Sequence, residues 1–286
     1  MAAEPRSARL AVLIDADNTS PRIAAGLFEE VAKMGEASVR RIYGDFSSSR
    51  LKSWADLLNK FAIVPQQNFA YTTGKNASDI ALVIDAMDLL YSGRFDAFCL
   101  VSSDSDFTRL AARIREQGVD VYGFGAKKTP ESFRQACRRF IYTENLAPEA
   151  PGNLAPAAPA ADRSAPEAAK SLEPAAAAVP LLSRVIAQLS DDDGWVNLRG
   201  VGNRLANLAP DFDPRTYGAA KLGDLVTKTK AFEIKRHAGG DMLIRPKAKA
   251  AAPASTPAPA PEVSGGDADG VARTTARKAA PRRRRS

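Results

Sequence analysis

Histidine and cysteine are scarce in this sequence, and their scarcity excludes several kinds of catalytic site. The 286 residues include one histidine, His237, and two cysteines, Cys99 and Cys137. Two cysteines cannot build a disulfide framework or a zinc cluster. Because the single histidine lies towards the C-terminus, catalysis of the Ser–His–Asp or Cys–His kind is not expected.

Long hydrophobic runs are also missing. The first apolar stretch, residues 10–14, ends at a carboxylate and is too short for the core of a secretion signal. No later stretch approaches the ~20 apolar residues that a membrane-spanning helix needs. Since 45% of the residues are nevertheless hydrophobic, the chain can bury one or two ordinary cores. We expect a soluble cytoplasmic protein without a membrane partner.

Alanine and proline dominate two segments and so divide the chain. Residues 147–178 have almost nothing large to bury, which predicts an extended, semi-rigid linker. Residues 247–286 repeat that composition, carry nine basic against three acidic residues and predict a disordered basic tail that can bind anions. Two folded domains remain, at residues 1–146 and 179–246.

In the first domain, apolar runs of strand length alternate with helical patterns. This alternation is typical of a doubly wound, mainly parallel sheet in a three-layer α/β/α arrangement with five or six strands. The strands are predicted at residues 10–14, 38–43, 62–68, 97–101 and 119–124. Helices are predicted at residues 21–34, 49–60 and 105–117, from a cap at Asn76 to Tyr91, and from Thr129 onward.

The second domain has a different pattern. Helical periodicity covers residues 180–189, 198–208 and 214–228, and two short strands are predicted at 232–235 and 242–245, with a turn at 237–240. Three helices and a hairpin in so few residues predict a small winged-helix domain, a helix-turn-helix variant that commonly contacts nucleic acid. Its apolar residues Phe212, Tyr217, Leu222, Leu225 and Phe232 are expected in the core.

The pattern that points most clearly to a chemical function is a set of aspartates. Asp15 and Asp17 come after the first strand, and Asp104 and Asp106 come after the fourth. In the commonest doubly wound strand order these two strands flank the crevice where ligands bind. Asp79, near the start of the helix that leads into the fourth strand, can approach the same crevice from the side.

Carboxylates gathered in this way repel one another and need a cation. Oxygen ligands favour Mg²⁺ or Mn²⁺ over zinc. Such an ion can activate a water for attack on a phosphodiester, so the pattern predicts metal-dependent phosphoester hydrolysis. Each acid also has a structural interpretation, because Asp often forms turns or caps helices, as Asp106 could. Asn18 can likewise hold the turn, and Asp85 and Asp88 are predicted to face elsewhere.

Three motifs carry a family resemblance: IDADN at residues 14–18, KNASDIALVIDAMDLL at 75–90 and VSSDSDF at 101–107. They resemble the NYN domain of the PIN-like nuclease superfamily, over roughly residues 8–145. The resemblance implies a metal-dependent ribonuclease in which Asp15, Asp79, Asp104 and Asp106 bind the ion and Asn18 supports them. Asp17 departs from the small residue that often stands in this motif.

The C-terminal domain resembles the OST-HTH (LOTUS) domain over about residues 176–246, which implies binding of RNA or of a protein partner. A basic set that could contact RNA phosphates lies on and after its last helix: Lys221, Lys228, Lys230, Lys235 and Arg236. In the first domain, Arg109 and Arg113 share a helix face, and Lys127 with Lys128 follows the fifth strand. These residues could steer RNA or could simply be solvated.

Two other functions remain open. The motif DADNT also fits haloacid dehalogenase-type phosphatases, in which Asp15 would be a nucleophile and Asp17 a general acid. The second alternative is an RNA-binding adaptor whose nuclease-like domain no longer cuts. A receiver-like domain is disfavoured, because the third strand ends in Gln67 and Asn68 rather than in an acid.

Overall fold

The computed structural model describes residues 7–68, 77–146, 172–190, 194–236 and 241–247. They belong to one compact unit, Met1–Lys247. The predicted cap at Asn76, the turn at 237–240, most of the linker and nearly all of the basic tail lie outside these residues. Within them, no helix has both the length and the apolar character to cross a bilayer.

A six-stranded parallel sheet forms the N-terminal domain and confirms the doubly wound prediction. Its spatial order is β3-β2-β1-β4-β5-β6, so β1 and β4 are neighbours at the point where the winding reverses. The strands are β1 Arg9–Asp15, β2 Glu36–Gly44, β3 Val64–Gln67, β4 Ala97–Val101, β5 Asp120–Gly125 and β6 Arg139–Tyr142. The sixth strand was not predicted at its position.

Helices cover both faces of this sheet, because the side chains of β1 point alternately to the two faces and are buried on both. Leu10, Val12 and Ile14 pack in one core cluster, whereas Ala11 and Leu13 pack in the other. The helices are α1 Ala24–Ala32, α2 Lys52–Ala55, α3 Leu58–Phe61, α4 Ala77–Tyr91, α5 Phe107–Glu116 and α6 Glu131–Ala136. Core residues from α4 and α5 lie on the side of Ala11 and Leu13.

The helix predicted over residues 49–60 is divided into a 3-10 turn, Ser49–Leu51, and the short helices α2 and α3. The division accompanies the burial of the Trp54 side chain near the end of α2. Its Nε1 donates a hydrogen bond to the carbonyl of Thr19 at 2.9 Å. An indole N–H that is buried needs such an acceptor, so this contact fixes the loop that follows β1.

The C-terminal domain has the predicted winged-helix order with an extra short strand. Its elements are α7 Val179–Leu189, β7 Val196–Asn197, α8 Leu198–Leu208, a 3-10 turn Pro214–Tyr217, α9 Leu222–Thr229, β8 Phe232–Arg236 and β9 Met242–Pro246. The strands form an antiparallel sheet in the order β7-β9-β8. Gly218, at φ +70°, ends the 3-10 turn and breaks the helix predicted over residues 214–228.

The folded part of this domain begins before the predicted end of the linker. Residues Ala175–Ala178 form a 3-10 turn, and Ala178 is completely buried in the domain's core. Leu225 and Phe232 are buried as expected, while Phe212, Tyr217 and Leu222 are half-buried and pack against that core. Cys99 and Cys137 are buried in the N-terminal domain.

A glycine contact provides a test of this packing. A Cβ atom at Gly26, on α1, would lie 2.2 Å from the carbonyl oxygen of Leu146, whereas one at Gly200, on α8, would meet nothing within 4 Å. Gly26→Ala should therefore lower the free energy of unfolding by about 1–3 kcal/mol through overpacking. Gly200→Ala should raise it by about 0.5–1 kcal/mol. Urea unfolding followed by circular dichroism measures both, and equal effects would contradict the packing of Gly26.

Candidate functional site

One buried hydroxyl joins the ends of the two central strands. Asp15 is the last residue of β1 and only 1% exposed, and its Oδ2 accepts a hydrogen bond from Ser102 Oγ at 2.6 Å. Ser102 follows β4, and its Oγ also accepts the backbone N–H of Asp104 at 3.0 Å. The acids that follow β1 and β4 are thus held together through Ser102.

The side on which these groups point follows from strand alternation. On β1, Ala11 and Leu13 face α4 and α5, so Asp15, two residues further on, continues on that side. On β4, Phe98 and Leu100 face the same helices, and Ser102 continues their series. The carboxylate therefore points toward the layer that holds Asp79.

The turn after β1 is built around the carboxylate of Asp15. Asn18 Nδ2 donates to Oδ2 at 2.8 Å, and the backbone N–H groups of Asp17 and Asn18 donate to Oδ1 at 3.2 and 3.3 Å. Burial raises the pKa of Asp15 above its ordinary value, and the hydrogen bonds from Ser102 and Asn18 offset part of that rise. Asn18 therefore orients Asp15 and holds the turn.

Asp79 lies in the first turn of α4 and interacts electrostatically with the other acids. Burial raises its pKa to about 6, together with the negative charges of four other carboxylates, in decreasing order Asp15, Asp104, Asp17 and Asp106. These five carboxylates therefore interact electrostatically, and such an interaction acts over longer distances than shared ligation of one ion. That Asp15, Asp79, Asp104 and Asp106 bind one metal ion stays a prediction.

Asp104 and Asp106 form the second acidic turn. Asp104 is half-buried, and its Oδ1 accepts the backbone N–H of Asp106 at 2.9 Å. Asp106 occupies the cap position of α5, but its exposed side chain makes no capping hydrogen bond to the described residues of that helix. The purely structural interpretation of Asp106 as a helix cap is therefore not what the geometry shows.

The donor set suits a hard divalent cation, because the acids supply only oxygen ligands. Within the described residues, however, no three Asp, Glu, His or Cys side chains are grouped closely enough to hold a metal ion. Asp15 also uses its oxygens in bonds to Ser102 and Asn18. The site thus has suitable donors and mutual repulsion, without a closed set of ligands.

Two acids on α4 lie apart from this group, as their spacing predicts. Asp85 Oδ2 accepts a hydrogen bond from Tyr43 at 2.7 Å and pairs with Arg41 Nη1 at 2.8 Å. Burial, and then the bond to Asp85, raises the pKa of Tyr43, so this phenol stays protonated. Asp88 is exposed to solvent.

The basic residues of the N-terminal domain have different surroundings. Arg109 is exposed on α5, and Lys128 is exposed after β5. Lys127 Nζ lies 3.8 Å from Glu173 in the C-terminal domain. Arg113 binds Glu116 and the hydroxyl of Tyr91, the last residue of α4. Since Asp79 is in the first turn of α4, about 18 Å along the helix from Tyr91, Arg113 is bonded at the end of α4 opposite to Asp79.

The basic residues of the winged helix line two adjoining grooves. Lys221 and Arg236 line a groove of about 530 Å³ that also includes Arg199. Lys230 and Lys235 line a second groove of about 630 Å³ together with Trp195 and Lys247. Thr227 lines both grooves, so they meet at α9. Lys228 instead bonds the carbonyl of Gly218.

Sequence reasoning missed the residues that support the acids. Ser102 stands within VSSDSDF, directly after a fully buried strand, and its position in the strand's alternation was the available indication of its role. Thr19 Oγ1 donates to the carbonyl of Val101 at 3.2 Å and ties the two central strands together a second time. The contact of Trp54 with Thr19 depends on tertiary structure and has no local pattern.

The fold and the site together define a doubly wound α/β domain, with carboxylates at the switch point of its sheet, joined to a winged helix. The sequence model of the NYN domain matches residues 9–145, and that of the OST-HTH/LOTUS domain matches residues 172–244. The chain therefore contains an NYN domain, which belongs to the nuclease superfamily, followed by an OST-HTH domain.

Two solved structures illustrate what this chain is similar to. A crystal structure of a protein of unknown function from Vibrio parahaemolyticus is 18% identical, with 50% of this chain and 96% of that chain covered and a TM-score of 0.42. A solution NMR structure of an uncharacterized protein from Nitrosomonas europaea is 31% identical, with 37% and 94% covered and a TM-score of 0.23. A comparison with curated proteins gives no match.

The raised pKa of Asp79 predicts a pH-dependent penalty on the metal-free fold. Because the folded state holds this pKa at about 6, above the ordinary 3.8, ionisation of Asp79 costs stability as the pH rises through that interval. At pH 7, Asp79→Asn should raise the free energy of unfolding by about 1 kcal/mol after allowance for solvent screening. The gain should vanish near pH 4.

Thermal unfolding in EDTA at several pH values measures this effect. A gain of about 1 kcal/mol corresponds to about 2–4 °C in Tm for a chain of this size. Asp88→Asn, which removes an exposed acid from the same helix, is the matched control and should leave Tm unchanged. A lower Tm for Asp79→Asn at pH 7 would show that the carboxylate is stabilised by its neighbours instead.

Proposed function

We propose that the protein is a metal-dependent ribonuclease whose NYN domain hydrolyses RNA and whose OST-HTH domain binds it. The observation that carries the proposal is the hydrogen bonding of Ser102, which holds Asp15 and the backbone of Asp104 at the junction of β1 and β4. This junction is where doubly wound folds bind their ligands. Cytoplasmic location is part of the same proposal.

The residues that would hold Mg²⁺ or Mn²⁺ are Asp15, Asp79, Asp104 and Asp106. A divalent ion would supply an activated water and stabilise the departing oxygen of the phosphodiester. The protein's own part is to orient the carboxylates: Ser102 and Asn18 fix Asp15, and Asp104 is set by the turn that follows β4. Asp79 and Asp106 approach from the ends of α4 and α5.

Several basic side chains support RNA as the substrate. Arg109 and Lys128 are exposed in the NYN domain. In the OST-HTH domain, the two grooves each carry cations that can neutralise phosphates. Trp195 lines the second groove, and aromatic rings in such grooves can stack on single-stranded bases. Arg245 covers one face of this ring at 4.7 Å from the centroid, which leaves the other face for a base.

The phosphatase alternative fits the geometry poorly. That mechanism uses Asp15 as nucleophile and Asp17 as general acid. It makes no use of Asp79, although Asp79 interacts electrostatically with both of them. The geometry therefore favours the nuclease.

A second candidate function is an RNA-binding adaptor. The observation that favours it is that, over the described part of the chain, no three possible ligands are close enough to hold an ion. An adaptor would keep the electrostatic cluster and bind RNA without cutting it. Cleavage assays separate the two functions.

Asp104→Asn tests the proposal directly. The purified protein should cleave single-stranded RNA in Mn²⁺ or Mg²⁺, and EDTA should stop the reaction. Asp104→Asn should lower the cleavage rate by at least about 10²-fold, as is typical when a group that stabilises transition-state charge is lost. Asp88→Asn is the control and should cleave at the normal rate.

RNA affinity, measured by filter binding in EDTA, completes the test. Asp104→Asn should bind RNA at least as tightly as the wild type, because a negative charge is removed from the crevice. If wild type and variant bind alike but neither cleaves in any divalent cation, the adaptor function is correct and the enzyme is not.

Deleting residues 248–286 tests the contribution of the basic tail. This deletion removes the four arginines at 282–285 and should weaken RNA binding. It should also flatten the plot of log affinity against log salt, because each lost phosphate contact lowers the slope by about 0.7–0.9. Deletion of residues 250–261 alone, which contain no charged side chain, is the control. An unchanged slope for the long deletion would contradict an RNA-binding tail.

A further inference from the structure

The OST-HTH domain contacts the free edge of the NYN sheet. Strand β6 ends the sheet, and its Phe140 donates its backbone N–H to the carbonyl of Pro210 at 2.8 Å. Pro210 follows α8 in the OST-HTH domain. An edge strand carries backbone groups that its own sheet cannot pair, so this bond satisfies one of them.

Two polar clusters flank that backbone contact. In the first, Asp211 of the OST-HTH domain pairs with Arg134, and Tyr142 donates its hydroxyl to Asp211 Oδ2 at 2.7 Å. Arg134 also bonds Tyr142 at 2.8 Å, so the three groups close a triangle. Beside it, Asn145 Nδ2 donates to Thr216 Oγ1 at 3.1 Å, and Thr216 is buried.

The second cluster surrounds Glu30, whose side chain is only 5% exposed. Arg215 of the OST-HTH domain bonds Glu30 Oε2 at 3.0 Å, while Lys33 and Arg139 of the NYN domain bind the same carboxylate. Burial would raise the pKa of Glu30, but these three cations lower it overall. Asp213 fixes Arg215 through two hydrogen bonds near 3 Å and one at 2.6 Å. A carboxylate this buried needs its cations, so Arg215 is part of its environment.

The contact between the domains lies on the side of the sheet that runs from β4 to β6. Phe140, Tyr142 and Asn145 lie along β6 and its carboxyl end, and β6 is two strands from β4. At about 4.8 Å per strand, β6 lies about 10 Å from β4, so the docked domain, which lies beyond β6, begins roughly 15 Å from β4. Lys127, at the carboxyl end of β5, pairs with Glu173 of the OST-HTH domain and continues the contact toward the acids.

From these contacts we infer that the OST-HTH domain works while docked in cis on the β6 edge of its own NYN domain, so that the RNA it holds meets the acids of the same chain. The docking segment of the OST-HTH domain is residues 210–216. The site on the NYN domain that receives it is formed by Glu30, Arg134, Arg139, Phe140, Tyr142 and Asn145. The inference rests on the proposed function for its second half, the delivery of RNA. The docking itself does not depend on any activity.

A disulfide placed across the contact tests the docking. Asn145→Cys with Thr216→Cys puts two thiols where the native side chains bond, and the native Cys99 and Cys137 are 0% exposed and so remain unreacted. Oxidised glutathione accepts the two electrons as the thiols join. A specific protease site inserted near residue 160 then allows the chain to be cut between the domains after oxidation.

The expected result is a monomer whose two fragments stay joined on a non-reducing gel. Asn145→Cys with Ser190→Cys, which places the second thiol at the end of α7, is the matched control and should release free fragments. Adding Asp211→Lys to the first pair opposes Arg134 and should lower the disulfide yield at least about tenfold. A disulfide between two chains, or none in a variant with a native circular dichroism spectrum, overturns docking in cis.

Activity of the same variant tests the second half of the inference. If the docked form is the working form, the oxidised protein should cleave RNA at the rate of the reduced protein. Loss of cleavage on oxidation, reversed by dithiothreitol, would show that the domains must separate and would overturn the inference. If neither form cleaves RNA, the proposed ribonuclease fails, but the gel still decides whether the domains dock. RNA binding without Mn²⁺ then decides whether the docked domain holds RNA. The oxidised form is expected to bind RNA as tightly as the reduced form.

Discussion

The site depends on a single constraint: a carboxylate at the end of a fully buried strand must remain hydrogen-bonded. Asp15 continues the alternation of β1 into the interior, where an uncompensated charge costs several kcal/mol. The loop that follows β1 and the turn that follows β4 both supply donors to it, through Asn18 and Ser102. Through Ser102, the same bonds also link Asp15 to the turn that holds Asp104, so one set of contacts satisfies the buried carboxylate and joins the ends of the two strands.

Burial opposes the ionised forms of both Asp15 and Asp79 and raises both pKa values. At Asp15, hydrogen bonds from Ser102 and Asn18 offset part of the rise. At Asp79, the negative charges of the other acids add to it. A positive charge in the crevice would relieve this repulsion.

Part of this architecture follows from the sequence, for reasons that can be named. The strands β1 and β4 are continuous apolar runs that end in acids, and their order in a doubly wound sheet follows from general rules of topology. Strand β6 was missed because Arg139–Tyr142 is short and follows α6 with almost no turn. The helix over residues 49–60 was predicted as continuous because its division depends on the burial of Trp54, a tertiary contact.

The same contrast holds for the site and for the domain contacts. The positions of the acids can be predicted because the acids follow buried strands directly. Helical spacing alone groups Arg113 with Arg109, but Tyr91, the partner of Arg113, lies on another helix. Nothing local in the sequence relates Arg215 to Glu30, which are brought together only by the docking of two domains. Pairing across such distances in the chain is set by shape and charge at the surfaces.

The bond from Phe140 to Pro210 also affects how the NYN domain behaves as an isolated piece. Cut after Leu146, that domain would present the bare margin of β6 to its neighbours, together with a buried carboxylate deprived of one cation. Exposed margins of this kind recruit strands from other molecules and lead to sheet extension and aggregation. The winged helix covers this margin and so occupies an edge on which strands from other molecules could pair, whether or not it also contacts RNA.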